Sequence, residues 1–330
     1  MENNIMKKLL TTAMLLFLTT PVLAQTKTIA IDGSSTVFPI VEALAEEYQK
    51  STKNQVRVTV GISGTGGGFK KFCRGETQFS NGSRPILKSE IEACKANGIE
   101  FIELPLAYDA LTVVVNKANP LKCIKVSELK TMWAPESQNV VMRWNQVNSA
   151  WSNQQLRLFG AGSDSGTFDY FTEAIVGKAK SSRGDYTASE DDNVLVKGVV
   201  GNPDALGYFG FAYYFSNKDK LKALEIDGGS GCVAPSFENV LKGSYSPLSR
   251  PLFIYVSAKE AKKPEVAQFV EFMMANASKL IKEVNYLPLP DNAYTFGLTR
   301  FKANEVGTAF AGQSEIGVSI EDILKKKPKM

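Results

Sequence analysis

Along this chain, short apolar runs alternate with stretches in which apolar residues recur every three or four positions. Thr28-Ile29-Ala30-Ile31 reads as a strand, and Pro39 to Lys50 as a helix with Ile40, Val41, Leu44 and Tyr48 on one face and Glu42, Glu46 and Glu47 opposite. Val56 to Ile62 alternates β-branched residues, as a half-buried strand does. Phe69 to Arg74 and Ser89 to Ala96 read as helices, the second stopped by Gly98. Ile99 to Leu106 and Leu111 to Val115 read as two strands. The middle of the chain repeats the scheme. Leu156 to Phe159 is a strand, Thr167 to Val176 a helix with Phe168, Phe171 and Ile175 inward, and Tyr208 to Phe215 an aromatic strand. Leu252 to Val256 is a further strand, Pro264 to Glu283 a long helix and Glu321 to Lys325 a short one. This alternation predicts an α/β fold.

No Gly-, Ser- or Pro-rich linker cuts the chain once, and the C-terminal third resumes the strand-then-helix order. The pattern predicts two lobes joined by two crossings, near residues 105–115 and 245–255. The first lobe is discontinuous, built from 25–107 and 253–330, and the second spans 108–252. The cleft between such lobes is the expected ligand site. Ahead of them, Lys7 and Lys8 precede the apolar run Leu9 to Leu18, and Ala24 offers a small residue at a cut position. Residues 1–24 thus have the layout of a cleaved secretory signal peptide, with Gln25 as the first mature residue. No Cys follows the cut, so no lipid anchor is expected there, and no other stretch approaches ~18 uninterrupted apolar residues.

Composition narrows the chemistry. The formal net charge is +4, with no basic run of the kind that binds nucleic acid. The four cysteines, Cys73, Cys94, Cys123 and Cys232, are an even set in an exported chain and read as two disulfides. Three pairings are open. Cys73 with Cys94 is the natural local pair, each at an inner position of a helical segment, which leaves Cys123 with Cys232. No CxxC spacing favours a metal instead. Histidine is absent, which removes Ser-His-Asp and Cys-His nucleophile systems and His-rich zinc sites.

Four short motifs share one design: Gly33-Ser34-Ser35-Thr36, Ser63-Gly64-Thr65-Gly66-Gly67-Gly68, Asn81-Gly82-Ser83-Arg84-Pro85 and Gly162-Ser163-Asp164-Ser165-Gly166-Thr167. Three precede a helix, where unpaired N–H groups and the positive end of the dipole meet. Hydroxyls add donors and glycine admits close approach, a cradle for a tetrahedral oxyanion. Arg84 adds a full charge and a planar fork. Taken singly, each motif is an ordinary cap or loop; together they single out Ser34, Ser35, Thr36, Ser63, Thr65, Arg84, Ser165, Gly166 and Thr167 as candidate anion-binding residues. The glycine-rich run is not a nucleotide loop, since no Gly-Lys-Ser/Thr follows. Nor is Gly162 to Gly166 a Gly-x-Ser-x-Gly elbow, since Asp164 holds the centre, so a phosphatase or esterase using Ser165 is disfavoured. Tyr208 to Phe215 reads as packing, Asp191-Asp192 as a helix start rather than a metal site, and Lys325-Lys326-Lys327 as a solvated end.

The stretches Asp32 to Pro39, Gly64 to Lys70, Gly82 to Ile86 and Asp164 to Phe168 are collinear with, and resemble, the PstS family of phosphate-binding proteins, in its SphX-like branch. The resemblance implies a two-lobed periplasmic receptor, without cofactor and monomeric, that closes around inorganic phosphate and delivers it to the permease subunits of an ABC importer. It assigns Ser35, Thr36, Thr65, Ser165, Gly166 and Thr167 as donors, with Ser63 a weaker one. Two positions depart from the better-known branch: Arg84 stands where that branch has Asp, and Ala161 where it has Arg. Arg84 is therefore expected to supply the charge facing the anion. The missing Asp, which accepts the phosphate proton and repels sulfate, leaves receptors for sulfate, arsenate or molybdate as alternatives. Asp164 is the candidate to replace it. An additional role as a surface adhesin or scavenging module has no repeat or long tail to support it.

Overall fold

The computed structural model describes residues 26–313, 315–318 and 320–329; the leader, with its expected cut after Ala24, lies outside them. Strand Lys27–Gly33 pairs in parallel with Val56–Ile62 on one side and Phe79–Gly82 on the other. Helices Phe38–Ser51, Gly64–Cys73 and Lys88–Ala96 connect and cover these strands. Phe79–Gly82 then pairs antiparallel with Ser249–Ser257, and that strand with the long Phe101–Asn116. The long strand continues into the second half of the fold. There it pairs with Ala205–Gly210, which lies parallel to Arg157–Ala161, itself parallel to Thr187–Ser189. The result is a two-lobed α/β structure whose sheet runs unbroken from one lobe to the other.

Each lobe has its own core. One gathers Ile29, Ile31, Leu44, Phe69, Phe79 and Leu104 with Phe253, Tyr255, Phe269 and Met273 from the C-terminal third. The other gathers Leu111, Val113, Trp133, Leu158, Phe171, Tyr208 and Tyr245. Trp133 is its centre, edge-on to Phe171, Tyr186 and Tyr208. The bridges Cys73–Cys94 and Cys123–Cys232 are both formed. The first ties helix Gly64–Cys73 to helix Lys88–Ala96 beside the core. No described helix is long and apolar enough to cross a membrane.

Three elements differ from the sequence expectation. The strands expected at Ile99 to Leu106 and Leu111 to Val115 are a single strand, Phe101–Asn116. Tyr108 and Asp109 interrupt its apolar run, but Asp109 is directly opposed to Arg250 on the neighbouring strand, so the charge is answered inside the sheet. The glycine run Gly64 to Gly68 is not a loop ahead of a helix but the helix's own first turns. A Cβ on Gly68 would stand 2.5 Å from the Gly33 Cα, so glycine is what lets this helix lie directly on the neighbouring backbone. Finally, the aromatic run is strand only to Gly210, then helix over Phe211–Phe215. The Phe211 N–H leaves the ladder and donates to Asp109 Oδ1 at 3.3 Å.

Candidate anion-binding site

Two groups of hydroxyls meet where the lobes close. Thr36 ends the first loop, and Thr167 lies in the first turn of helix Gly166–Phe171 of the other lobe. Their Oγ1 atoms are 3.0 Å apart. Arg250 Nη2 reaches both, at 3.3 Å from Thr36 Oγ1 and 2.9 Å from Thr167 Oγ1. In the second group, Thr65 Oγ1 and Ser83 Oγ are 3.1 Å apart, and the Ser83 N–H donates to Thr65 Oγ1, also at 3.1 Å. Gly166 closes over this pair: a Cβ there would stand 2.6 Å from Thr65 Oγ1 and 2.7 Å from Ser83 Oγ. Thr36, Thr65, Ser83, Thr167 and Arg250 are all buried.

The loops are held from both sides. The Ser34 N–H donates to the Asn81 carbonyl at 3.2 Å, the Tyr213 hydroxyl donates to the Ser35 carbonyl at 2.8 Å, and the Tyr286 hydroxyl donates to the Thr36 carbonyl at 2.5 Å. Ser165 Oγ accepts the Thr167 N–H at 3.1 Å and so caps its helix. At the rim, the Gly66 N–H donates to the Asp164 carbonyl at 2.7 Å, and Lys70 pairs with the Asp164 carboxylate at 2.7 Å. Ser63 belongs to another group: its Oγ accepts from Lys71 Nζ at 2.7 Å and its N–H donates to Asp32 Oδ1 at 3.1 Å. Both oxygens of the Asp164 carboxylate are taken by Lys70 Nζ.

The structure gives Arg84 a different occupation from the one expected. Its guanidinium is buried, with Nε donating to Asp169 Oδ2 at 2.5 Å and Nη1 and Nη2 each donating to Glu90 at 2.8 Å. Nη1 also donates to the Pro85 carbonyl at 3.0 Å. Two carboxylates therefore surround one cation, which leaves no net positive charge for an anion. The cation among the hydroxyls is Arg250. It is held through a single carboxylate oxygen, Asp109 Oδ2, at 3.2 Å from Nε and 3.0 Å from Nη2. Its Nη1 has only a 3.4 Å contact with the Gly166 carbonyl among the described residues. Ser249-Arg250-Pro251 repeats the tripeptide Ser83-Arg84-Pro85, the one local signal that could have found it.

Asp192 was also missed. It does start a helix, Asp192–Val200, as its sequence suggests, but Asp191 does the capping. The Asp192 side chain turns into the cleft, where its Oδ1 accepts from Ser35 Oγ at 3.2 Å across the lobes. Its Oδ2 is buried without a hydrogen-bond partner. Burial pushes this carboxyl up to about 7; Arg250 pulls it down, while Asp109 adds to the rise. Burial raises Asp109 as well, with Arg250 opposing it.

The PBP superfamily domain matches residues 19–277 of this chain. A relative named Protein SphX from Synechococcus elongatus is 55% identical over 303 residues, covering 92% of this chain and 89% of that protein. The chain belongs to the PBP superfamily. Within that superfamily it groups with the SphX and PstS proteins. The Phosphate-binding protein PstS of Staphylococcus saprophyticus is 38% identical over 80% of this chain and 81% of its own length. Among solved structures, a possible phosphate binding protein from Planctomyces limnophilus superposes with a TM-score of 0.62 at 48% identity, covering 84% of this chain and 99% of that one.

Proposed function

We propose that this chain is the periplasmic receptor of an ATP-driven phosphate importer, binding inorganic phosphate between its lobes and handing it to the permease without chemical change. The observation that carries the reading is a buried cluster drawn from both lobes: Thr36 and Thr167 meet at Arg250, and Gly166, whose carbonyl Arg250 Nη1 contacts, packs against the hydroxyls of Thr65 and Ser83. Hydroxyls and a partly engaged guanidinium can wrap a tetrahedral oxyanion from several directions, and Gly166 leaves room for backbone approach. The name of the relative Phosphate-binding protein PstS supports phosphate as the anion. Asp192, with Oδ1 on Ser35 and Oδ2 unpartnered, is the group we assign, in its ionised form, to bond the proton that hydrogen phosphate carries and sulfate lacks.

Calorimetry with phosphate, arsenate, sulfate and molybdate on the mature protein tests this. Tight phosphate and arsenate binding with much weaker sulfate is expected. Sulfate binding as tight as phosphate would reduce the protein to a general oxyanion receptor, and release of product from a chromogenic phosphate ester would make it an enzyme.

A further inference from the structure

Arg84 is fully buried against the cleft yet spends its donors on protein, and the placement of its partners is informative. Glu90 lies on Arg84's own lobe. It sits in the first turn of helix Lys88–Ala96 and also accepts the Leu87 N–H at 2.8 Å, so it holds Arg84 whatever the other lobe does. The Pro85 carbonyl does the same. Asp169 comes from the opposite lobe, two residues beyond Thr167 in the short helix Gly166–Phe171. Its other oxygen, Oδ1, has no hydrogen bond, only Lys180 Nζ at 3.9 Å. Arg84 is thus oriented in advance by one lobe, with a single N–H aimed at a carboxylate that only the second lobe can bring.

We propose that Arg84 and Asp169 form an interlobe clasp: the pair does not touch the anion but sets how long the closed receptor holds it. The geometry gives this a route to the ligand. Docking Asp169 onto Arg84 fixes the helix that carries Gly166 and Thr167. Gly166 lies close enough that an added Cβ would be 3.0 Å from Arg84 Cγ. With the lobes apart Glu90 already balances the guanidinium, and once they meet Asp169 adds a second negative charge, so at neither stage does the cluster hold a free positive charge for the anion. The contact forms after encounter, so its loss should appear in release rather than in capture.

The inference rests on phosphate being the ligand, and the test separates the two. Stopped-flow binding and release of inorganic phosphate would be compared in the parent and in Asp169→Asn, which keeps the shape and loses the charge. Release is expected to quicken about tenfold to a hundredfold, with the association rate within about twofold, because truncating a buried charge pair acts on dissociation. Were Arg84 the anion's ligand, freeing it from Asp169 would hold phosphate as well or better. Unchanged or slower release from Asp169→Asn therefore overturns the clasp. Small-angle scattering at saturating phosphate gives a second readout: Asp169→Asn should be more extended than the parent, and equal radii also overturn the proposal. If Asp169→Asn does not fold, Arg84→Lys, which retains the charge but not the fork, is put to the same measurements with the same expected direction. A parent that binds no phosphate refutes the proposed function; the same scattering comparison made without ligand then decides whether Asp169 holds the lobes together, equal radii again overturning the clasp.

Discussion

Arg84 and Arg250 sit in identical Ser-Arg-Pro tripeptides, both about 1% exposed, both at the boundary between the lobes. One is enclosed by two carboxylates and one carbonyl; the other shares one carboxylate oxygen, turns Nη2 to two hydroxyls and leaves Nη1 with a long contact to the Gly166 carbonyl. The same side chain in the same local sequence therefore does two jobs, and the difference lies in how completely its charge is answered. A cation matched by more than its own charge binds protein to protein. A cation matched through one oxygen still has field to spare for an anion.

The comparison predicts different kinds of damage. Arg84→Ala leaves Glu90 and Asp169 without the guanidinium between them, with only Lys180 at 3.9 Å from Asp169, and breaking a buried pair in this way costs about 3–5 kcal/mol. The melting temperature should fall steeply, and adding Asp169→Asn to the same chain should recover part of the loss, because one orphaned charge is then gone; additive losses would break the assignment. Arg250→Ala removes the charge that faces the hydroxyls, at about 2–5 kcal/mol of binding, or roughly thirtyfold and more in Kd. Calorimetry on protein shown folded by circular dichroism measures this, and parent-like affinity would return the role to another cation.

Smaller effects sharpen the contrast. Thr167→Val keeps the shape and deletes a hydroxyl at Arg250, so phosphate binding should weaken by about 1.5–3 kcal/mol, the range for a hydrogen bond to a charged group. Asp192 gives a pH signature. Its carboxyl is raised by burial to about 7 in the folded protein, well above its unfolded value. A raised carboxyl stabilises the fold fully below its unfolded pKa, and that contribution is lost as pH rises to and through about 7. Melting curves should therefore show the parent losing stability relative to Asp192→Asn between roughly pH 4 and 7, by at most ~1.4 kcal/mol per unit. A flat difference across that window would mean Asp192 is ionised throughout. The smallest effect is expected at the rim, where Lys70 and Asp164 join the lobes in water with side chains 60% and 38% exposed. Exposed pairs contribute ~0–1 kcal/mol, so Lys70→Ala should shift phosphate affinity by less than about fivefold.

Much of this was legible in the sequence because the informative features are local. Helix faces such as Ile40, Val41 and Leu44, the alternation in Val56 to Ile62, and the Ser-Gly-Thr cap are each written in a few consecutive residues. Thr36, Thr65 and Thr167 could be singled out because a cap or a glycine run marks them. The part that could not be read depends on registry between distant strands. Nothing near Arg250 says that Asp109, more than a hundred residues earlier, will stand opposite it. Nothing near Asp192 says that its helix start will point at Ser35. The pairing of Arg84 is hidden for the same reason: its two carboxylate partners are a residue six positions on and one in the other lobe.

The paired strands Phe101–Asn116 and Ser249–Ser257 run side by side through the crossing, from Ser249 opposite Ala110 to Ser257 opposite Phe101. Any opening of the lobes would have to twist this hydrogen-bonded ribbon. Arg250 and Asp109 are mounted on that ribbon, so in such a twist they would be displaced less than the loops bearing the hydroxyls. Counter-charge and outline are thus carried by separate parts. A designer wanting a receptor for a differently shaped anion could exchange those loops and leave the ribbon, with its charge already in place, untouched.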